Sequence, residues 1–289
     1  MKSRRTVLMS SLCAALAPSS RAVAADDRGE ALRRGLADLE RRHGGRLGVA
    51  VLDTARAVPV AHRGDERFAL CSTHKLLAVA FVLARVDSGQ ESLERRLFYR
   101  KDELVSYSPV TARHVADGMT IGELCAGALT VSDNTAANLL LDSFGGPARL
   151  TAYVRSLGDG VTRLDRREPA LNDVAPGDRR DTTTPLAMLE TLRRIVLGTA
   201  LSGASCAQLA AWLAACTTGR SRLRAAVPDT WRAGDKTGSG PRGEANDVAI
   251  FWPPARAPIV VTAYYAGSTA PAAERDAVLV EVGRLAAAG

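Results

Sequence analysis

Apolar residues recur along this chain in two rhythms, and the change from one to the other divides it. Leu32, Leu36 and Leu39 stand at helical spacing among charges, which predicts an amphipathic surface helix over 27–42. Residues 47–52 then read as a short buried strand. From Lys75 to Val86 the run Leu76-Leu77-Ala78-Val79-Ala80-Phe81-Val82-Leu83-Ala84 is too long for a typical strand, and predicts a central helix buried on all sides. Further helical patterns occupy 120–129, 133–142, 147–157, 184–197 and 205–215. Between Thr162 and Thr184 the periodicity dissolves into charges with Pro169, Pro176 and Gly177, the mark of a long loop. Past residue 230 the pattern turns to strands at 233–237, 247–252 and 259–265, separated by Gly/Pro turns, with a last helix at 272–285. Strand material at both ends must meet to form one sheet. The simplest architecture is an α/β lobe made of 25–65 and 216–289, with a helical lobe, 66–215, inserted between them.

The first two dozen residues follow another logic. Lys2, Arg4 and Arg5 precede an apolar run over 7–17, and Ala22-Val23-Ala24 offers a small-residue cleavage site. This predicts a removable export peptide over 1–24, hence a periplasmic or secreted product. The pair Arg4-Arg5 also fits twin-arginine export as well as ordinary secretion. No later stretch reaches the roughly 18 uninterrupted apolar residues of a membrane span, so the exported chain is expected to be free of the membrane.

The formal charge of +7 invites a nucleic-acid reading. Four cations fall in the export segment, however, leaving 34 cations against 31 acids, and aromatics are only 4% of the chain. No basic stripe with interleaved aromatics remains, so a nucleic-acid partner is not expected. With 46% hydrophobic and 24% charged residues over 289 positions, the chain has enough core for a deep cleft. Cys71, Cys125, Cys206 and Cys216 share no metal-ligand spacing and read as buried free thiols.

Candidate chemistry lies in four short strings. Ser72 and Lys75 are three apart, so on a helix their side chains share a face. A serine hydroxyl becomes a nucleophile only when a neighbour takes its proton. Lys75 can do so if burial or a second cation, for which Lys236 is the candidate, depresses its pKa. Taken singly, this string is equally a helix N-cap followed by a surface lysine. Ser132-Asp133-Asn134 joins two helical patterns and also reads as a cap. Lys236-Thr237-Gly238, with Ser239 following, falls on a strand among glycines, where a ligand can lie against backbone; its plain alternative is an edge strand with a solvated lysine. Glu168, followed by Pro169 and by Asn172, places a carboxylate and an amide where they can hold one water, and such a carboxylate can act as a general base. Each string is common alone. Their order over some 165 residues is not.

In these strings the chain resembles class A serine β-lactamases along nearly its whole length after the export segment. The resemblance implies a β-lactamase/transpeptidase-like α/β (α+β) fold, an antiparallel sheet flanked by helices plus a helical lobe, with loop 163–181 carrying the general base. It implies Ser72 as nucleophile, Ser132 as proton relay to the departing nitrogen, and backbone N–H groups of Ser72 and Ser239 as the oxyanion hole. Tyr107 would line the cleft, Asn134 would meet the substrate amide, and Arg166 and Asp181 would pair across the neck of the loop. Relatives often carry a carboxylate-binding arginine at a position that is Ala245 here, and Arg222 fits an alternative source of the guanidinium, a planar two-pronged donor. A frequent family disulfide would join Cys125 to a position that is Val79, and another would join Cys71 to one that is Gly240. Neither can form.

The expectation is a monomeric enzyme without metal or organic cofactor. It would hydrolyse the amide bond of penicillins and cephalosporins through a covalent acyl-enzyme and confer antibiotic resistance. Whether Lys75 or Glu168 is the base in the first step stays open. A penicillin-binding DD-peptidase would share the serine, the lysine and a KTG-like string, but not Glu168 and Asn172. A non-catalytic β-lactam sensor would be tethered to a signalling segment.

Overall fold

The computed structural model describes residues 20–56 and 58–288, with side chains from Asp27 onward. The expected export segment, 1–24, lies outside the described residues except where its last five open the first helix. In chain order the elements are α1 (Ser20–His43), β1 (Arg46–Asp53), β2 (Val60–His62), β3 (Phe68–Ala69), α2 (His74–Asp87), β4 (Arg96–Leu97), β5 (Met119–Thr120), α3 (Ile121–Thr130), α4 (Asn134–Ser143) and α5 (Pro147–Ser156). Then come β6 (Thr182–Thr183), α6 (Pro185–Val196), α7 (Gly203–Ala214), β7 (Arg232–Ser239), β8 (Ala245–Trp252), β9 (Ile259–Ala266) and α8 (Ala272–Ala288).

Five strands form one antiparallel sheet in the order β2-β1-β9-β8-β7. The expected meeting of the two chain ends is its centre, where Arg46 to Asp53 pair with Ala266 to Ile259. Side-chain alternation puts two different cores on its faces. Ala50, Leu52, Val248, Ile250, Val260 and Tyr264 pack toward α2 and the other central helices. Leu47, Val49, Val51, Phe251, Val261 and Tyr265 pack against Leu36 and Leu39 of α1 and Leu279 and Val282 of α8. Because both faces are covered, these strands read in the sequence as unbroken apolar runs rather than alternation.

The central helix is almost as enclosed as its sequence predicts: Leu76 to Ala80, Val82 and Leu83 are buried, while Phe81 and Ala84 are only partly so. The two-residue pairings β3 with β6 and β4 with β5 escaped the sequence reading, since two residues carry no periodicity. β3 with β6 matters for the site, because it anchors the end of the loop to the residues just ahead of α2. All four described cysteines are free; Cys71, Cys125 and Cys216 are buried as expected, but Cys206 is only half-buried. Among the described residues, no helix is long and apolar enough to cross a membrane.

Candidate active site

Ser72 does not lie in α2 itself. It sits in a single 3-10 turn, Cys71–Thr73, that leads into the helix. Cys71 has φ +45°, a left-handed conformation that costs energy for a residue with a side chain and that surrounding contacts must hold. Thr73 Oγ1 donates to the Leu70 carbonyl at 2.7 Å, and His74 Nδ1 bonds the Cys71 carbonyl at 2.9 Å. From the other side β7 presses on the turn through Gly238. A Cβ there would stand 3.0 Å from the Cys71 Cβ and 3.2 Å from the Ser72 nitrogen, tight contacts that glycine avoids.

Four chain segments converge on the hydroxyl. Ser72 Oγ is 3.3 Å from Glu168 Oε1, and Glu168 Oε1 is 3.2 Å from Lys75 Nζ. Lys75, on the first turn of α2, also donates to the Ser132 carbonyl at 2.8 Å, to Ser132 Oγ at 3.2 Å and to Asn134 Oδ1 at 2.5 Å. Lys236 Nζ reaches the same Ser132 Oγ from β7, at 3.0 Å. Ser132, held at φ +63°, thus stands between two ammonium groups. Asn172 Nδ2 donates directly to Glu168 Oε2 at 2.5 Å.

Burial governs the titration of these groups. It pushes the Lys75 ammonium below its ordinary 10.5, while Glu168 pulls the other way. Burial, rather than Lys236, is therefore the main cause. It also drives Lys236 down, helped by repulsion from Lys75, to about 8. For Glu168, burial acts to raise the pKa, but Lys75, His74 and the Asn172 amide outweigh it and hold the carboxyl below its usual 4.5. At neutral pH Glu168 is thus an ionised acceptor facing a serine hydroxyl.

The loop carrying Glu168 is fastened at its neck. Asp181 is fully buried, accepts the Asp165 and Arg166 backbone N–H groups at 2.7 and 2.9 Å, and pairs with Arg166 Nε at 2.5 Å. The capping reading of Asp133 holds in full. It caps α4 through the Ala136 N–H and also takes the backbone N–H groups of Val110 and Thr111.

Ser72, Tyr107, Ser132, Asn134, Asn172, Arg222, Thr237, Gly238 and Ser239 all line one cavity of about 380 Å³, with Lys75, Glu168 and Lys236 beneath it. Tyr107 is exposed at the rim. Arg222 is brought there too, but the two-pronged grip expected of it is already spent. Nε binds Asp276 at 2.7 Å, Nη1 donates to the Gly238 and Asn246 carbonyls, and Nη2 donates to Ser239 Oγ, each at 2.8 Å. One N–H remains, so Arg222 reaches the cavity mainly through the Ser239 hydroxyl.

Three partners went unread in the sequence. Asn138 clamps the Glu168 backbone on both sides, accepting its N–H and donating to its carbonyl at 3.0 Å each. Its signal was no more than an amide on a buried helical face. His74, fully buried, places Nδ1 4.0 Å from Glu168 Oε1, and burial lowers its pKa to about 4, so the ring is neutral over most of the pH range. Since Nδ1 faces a carbonyl it carries the hydrogen, which leaves Nε2 buried without a partner. Thr218 meets Thr237 at 2.5 Å and steadies the KTG strand. The Cys71 and Gly240 positions are neighbours: a Cβ on Gly240 would lie 3.1 Å from Cys71 Sγ, but also 2.5 Å from Glu244 Oε2, which occupies that space.

This fold and this constellation recur in known proteins. A family model described as "Beta-lactamase enzyme family" matches residues 31–288. β-Lactamase OXY-1 of Klebsiella oxytoca is 46% identical over 286 residues, covering 99% of this chain and 98% of the relative. CTX-M-25 of Escherichia coli is 45% identical with the same coverage. Among solved structures, an ancestral (GNCA) class A β-lactamase superposes with TM-score 0.88 at 63% identity, over 89% of this chain and 99% of the other. The chain belongs to the class A β-lactamase family.

Proposed function

We propose that this enzyme opens the lactam ring of penicillins and cephalosporins by two acyl transfers at Ser72, and so confers resistance to them. The observation that carries the reading is the Ser72–Glu168–Lys75 contact chain at 3.3 and 3.2 Å beneath an open cavity. In the first step Ser72 Oγ attacks the lactam carbonyl and its proton passes to Glu168, the ionised acceptor already in contact. Lys75, whose ammonium binds Ser132 and Asn134, holds that carboxylate and orders the relay. Backbone N–H groups of Ser72 and Ser239 take the oxyanion. Ser132 gives its proton to the departing nitrogen, and Lys75, on that same side chain, supplies its replacement.

Before the second step Glu168 passes the Ser72 proton to Lys75, 3.2 Å away, which restores both; Glu168 then draws a proton from a water that attacks the ester, with Asn172 and the Asn138 clamp fixing the carboxylate. The substrate carboxylate sits by Lys236, Thr237 and the Ser239 hydroxyl, whose orientation Arg222 sets. Asn134 and Tyr107 border the side chain of the antibiotic. The reading includes export by residues 1–24 to the periplasm or medium, action as a monomer, and a division into an α/β lobe of 25–65 and 216–289 and a helical lobe of 66–215. The test compares hydrolysis of benzylpenicillin and a chromogenic cephalosporin by wild type and Glu168→Gln. The variant should accumulate a covalent adduct on Ser72 visible by mass spectrometry. A variant that turns over without such an adduct removes Glu168 from the second step.

A further inference from the structure

A second cavity lies apart from the catalytic one. A space of about 680 Å³ lies between the far limb of the loop, 174–179, and the end of the sheet, and shares no lining residue with the cleft that holds Ser72. Four guanidinium groups line it: Arg46, Arg67, Arg179 and Arg242. Arg46 is paired with Glu66 at 3.1 Å and Arg242 with Asp173 at 2.7 Å. The other two have no carboxylate within ion-pair distance. Arg67 spends Nη1 on the Val161 carbonyl and Thr182 Oγ1, leaving Nε and Nη2 without a protein partner, and the Arg179 side chain makes no hydrogen bond or ion pair. Two carboxylates share the lining: Asp178 is held by Arg180 at 2.8 Å, and Glu244 accepts the Arg242 backbone N–H at 2.7 Å.

With Arg46 and Arg242 paired, Arg67 and Arg179 are the two guanidinium groups with donors left open to the cavity. Burial is the main reason that Arg67 is easier to deprotonate than an ordinary arginine, with smaller repulsion from Arg179, Arg163 and Arg155 and an opposing pull from Asp159. We propose that this cavity is a binding site for a small polyvalent oxyanion of the phosphate or pyrophosphate class, gripped between Arg67 and Arg179. Paired N–H donors of a guanidinium suit such oxygens. Arg67 directly precedes β3, on the fixed framework, whereas Arg179 rides on the loop. An anion held by both fastens the far limb of the loop whose near limb presents Glu168.

The test is isothermal titration of the full folded enzyme with pyrophosphate, against chloride at matched ionic strength. Wild type should bind pyrophosphate and show no saturable binding of chloride. Arg179→Ala, which removes no internal hydrogen bond or ion pair, should weaken binding at least tenfold, and Arg67→Lys, which keeps charge but loses the fork, severalfold. Thr237→Val, in the cleft, should leave binding unchanged. In hydrogen exchange, pyrophosphate should slow the amides of 174–180 in wild type and not in Arg179→Ala. Equal binding by wild type and Arg179→Ala, or loss of binding in Thr237→Val alone, would place the anion in the cleft or on the general surface and overturn the assignment.

Discussion

The two lysines of the cleft sit about equally deep and are treated differently by their surroundings. Lys75, on the helical wall, has Glu168 at 3.2 Å and three further acceptors, so its charge is compensated inside the protein. Lys236, on the strand wall, has only the Ser132 hydroxyl and the Thr237 carbonyl, and burial leaves it near 8. In the proposed reaction the first ammonium moves protons, while the second, with Asp235 and Asp247 acting on it only at longer range, takes the substrate carboxylate as its direct partner. A buried cation without an anion is unstable alone and gains from binding one.

Removing each lysine should separate these roles. Lys75→Met leaves Glu168 buried without its cation. Acylation should fall by about 10²–10⁴, measured by stopped-flow with a chromogenic cephalosporin, and stability by about 3 kcal/mol, measured by urea unfolding at pH 7. Unchanged acylation would remove Lys75 from the first step. Lys236→Met should raise KM far more than it lowers kcat, yet leave the protein as stable as wild type or more so. Its folded pKa near 8, against 10.5 free, corresponds to about 3 kcal/mol of penalty. That penalty is complete below pH 8 and fades as pH rises to 10.5, so wild-type stability should climb toward the variant's over that window. A constant gap between the two across pH 8 to 10.5 would contradict the uncompensated charge.

The same asymmetry sets the pH profile. kcat/KM should fall above about 8, as Lys236 loses the proton that attracts the substrate, and below 4.5, as Glu168 gains one. Asn138→Ala should lower kcat by a smaller factor than Lys75→Met and loosen the loop, seen as faster exchange of the amides near Glu168. The smallest effect belongs to His74→Phe. Loss of a ring that charges near pH 4 should move the acid limb up by a fraction of a pH unit and change little at pH 7. A shift of the basic limb instead would mean that His74 acts elsewhere.

Much of this was legible along the chain. Runs such as 76–84 and 259–265 are long or β-rich enough to announce their elements, and Ser72, Lys75, Ser132, Glu168 and Lys236 stand in strings whose order is itself improbable. Arg222 shows where reading stopped. Its residue type suits a carboxylate, but its neighbours Asp276, Gly238, Asn246 and Ser239 come from strands and a helix up to 54 residues away, and they consume all but one of its donors. His74 and Asn138 were invisible for a related reason. A buried polar side chain has meaning only through its partners, and those lie across the fold.

The sequence by itself determined the helices and long strands, the closure of one sheet from both ends, and the set of reactive groups, because periodicity and residue chemistry are local properties. Tertiary structure alone decided which charges are compensated, since the energy of a charge depends on what surrounds it within a few ångströms. It therefore set Glu168 beside Ser72 from a loop 96 residues away, left Lys236 with no carboxylate in hydrogen-bond contact, and gathered four arginines behind that loop.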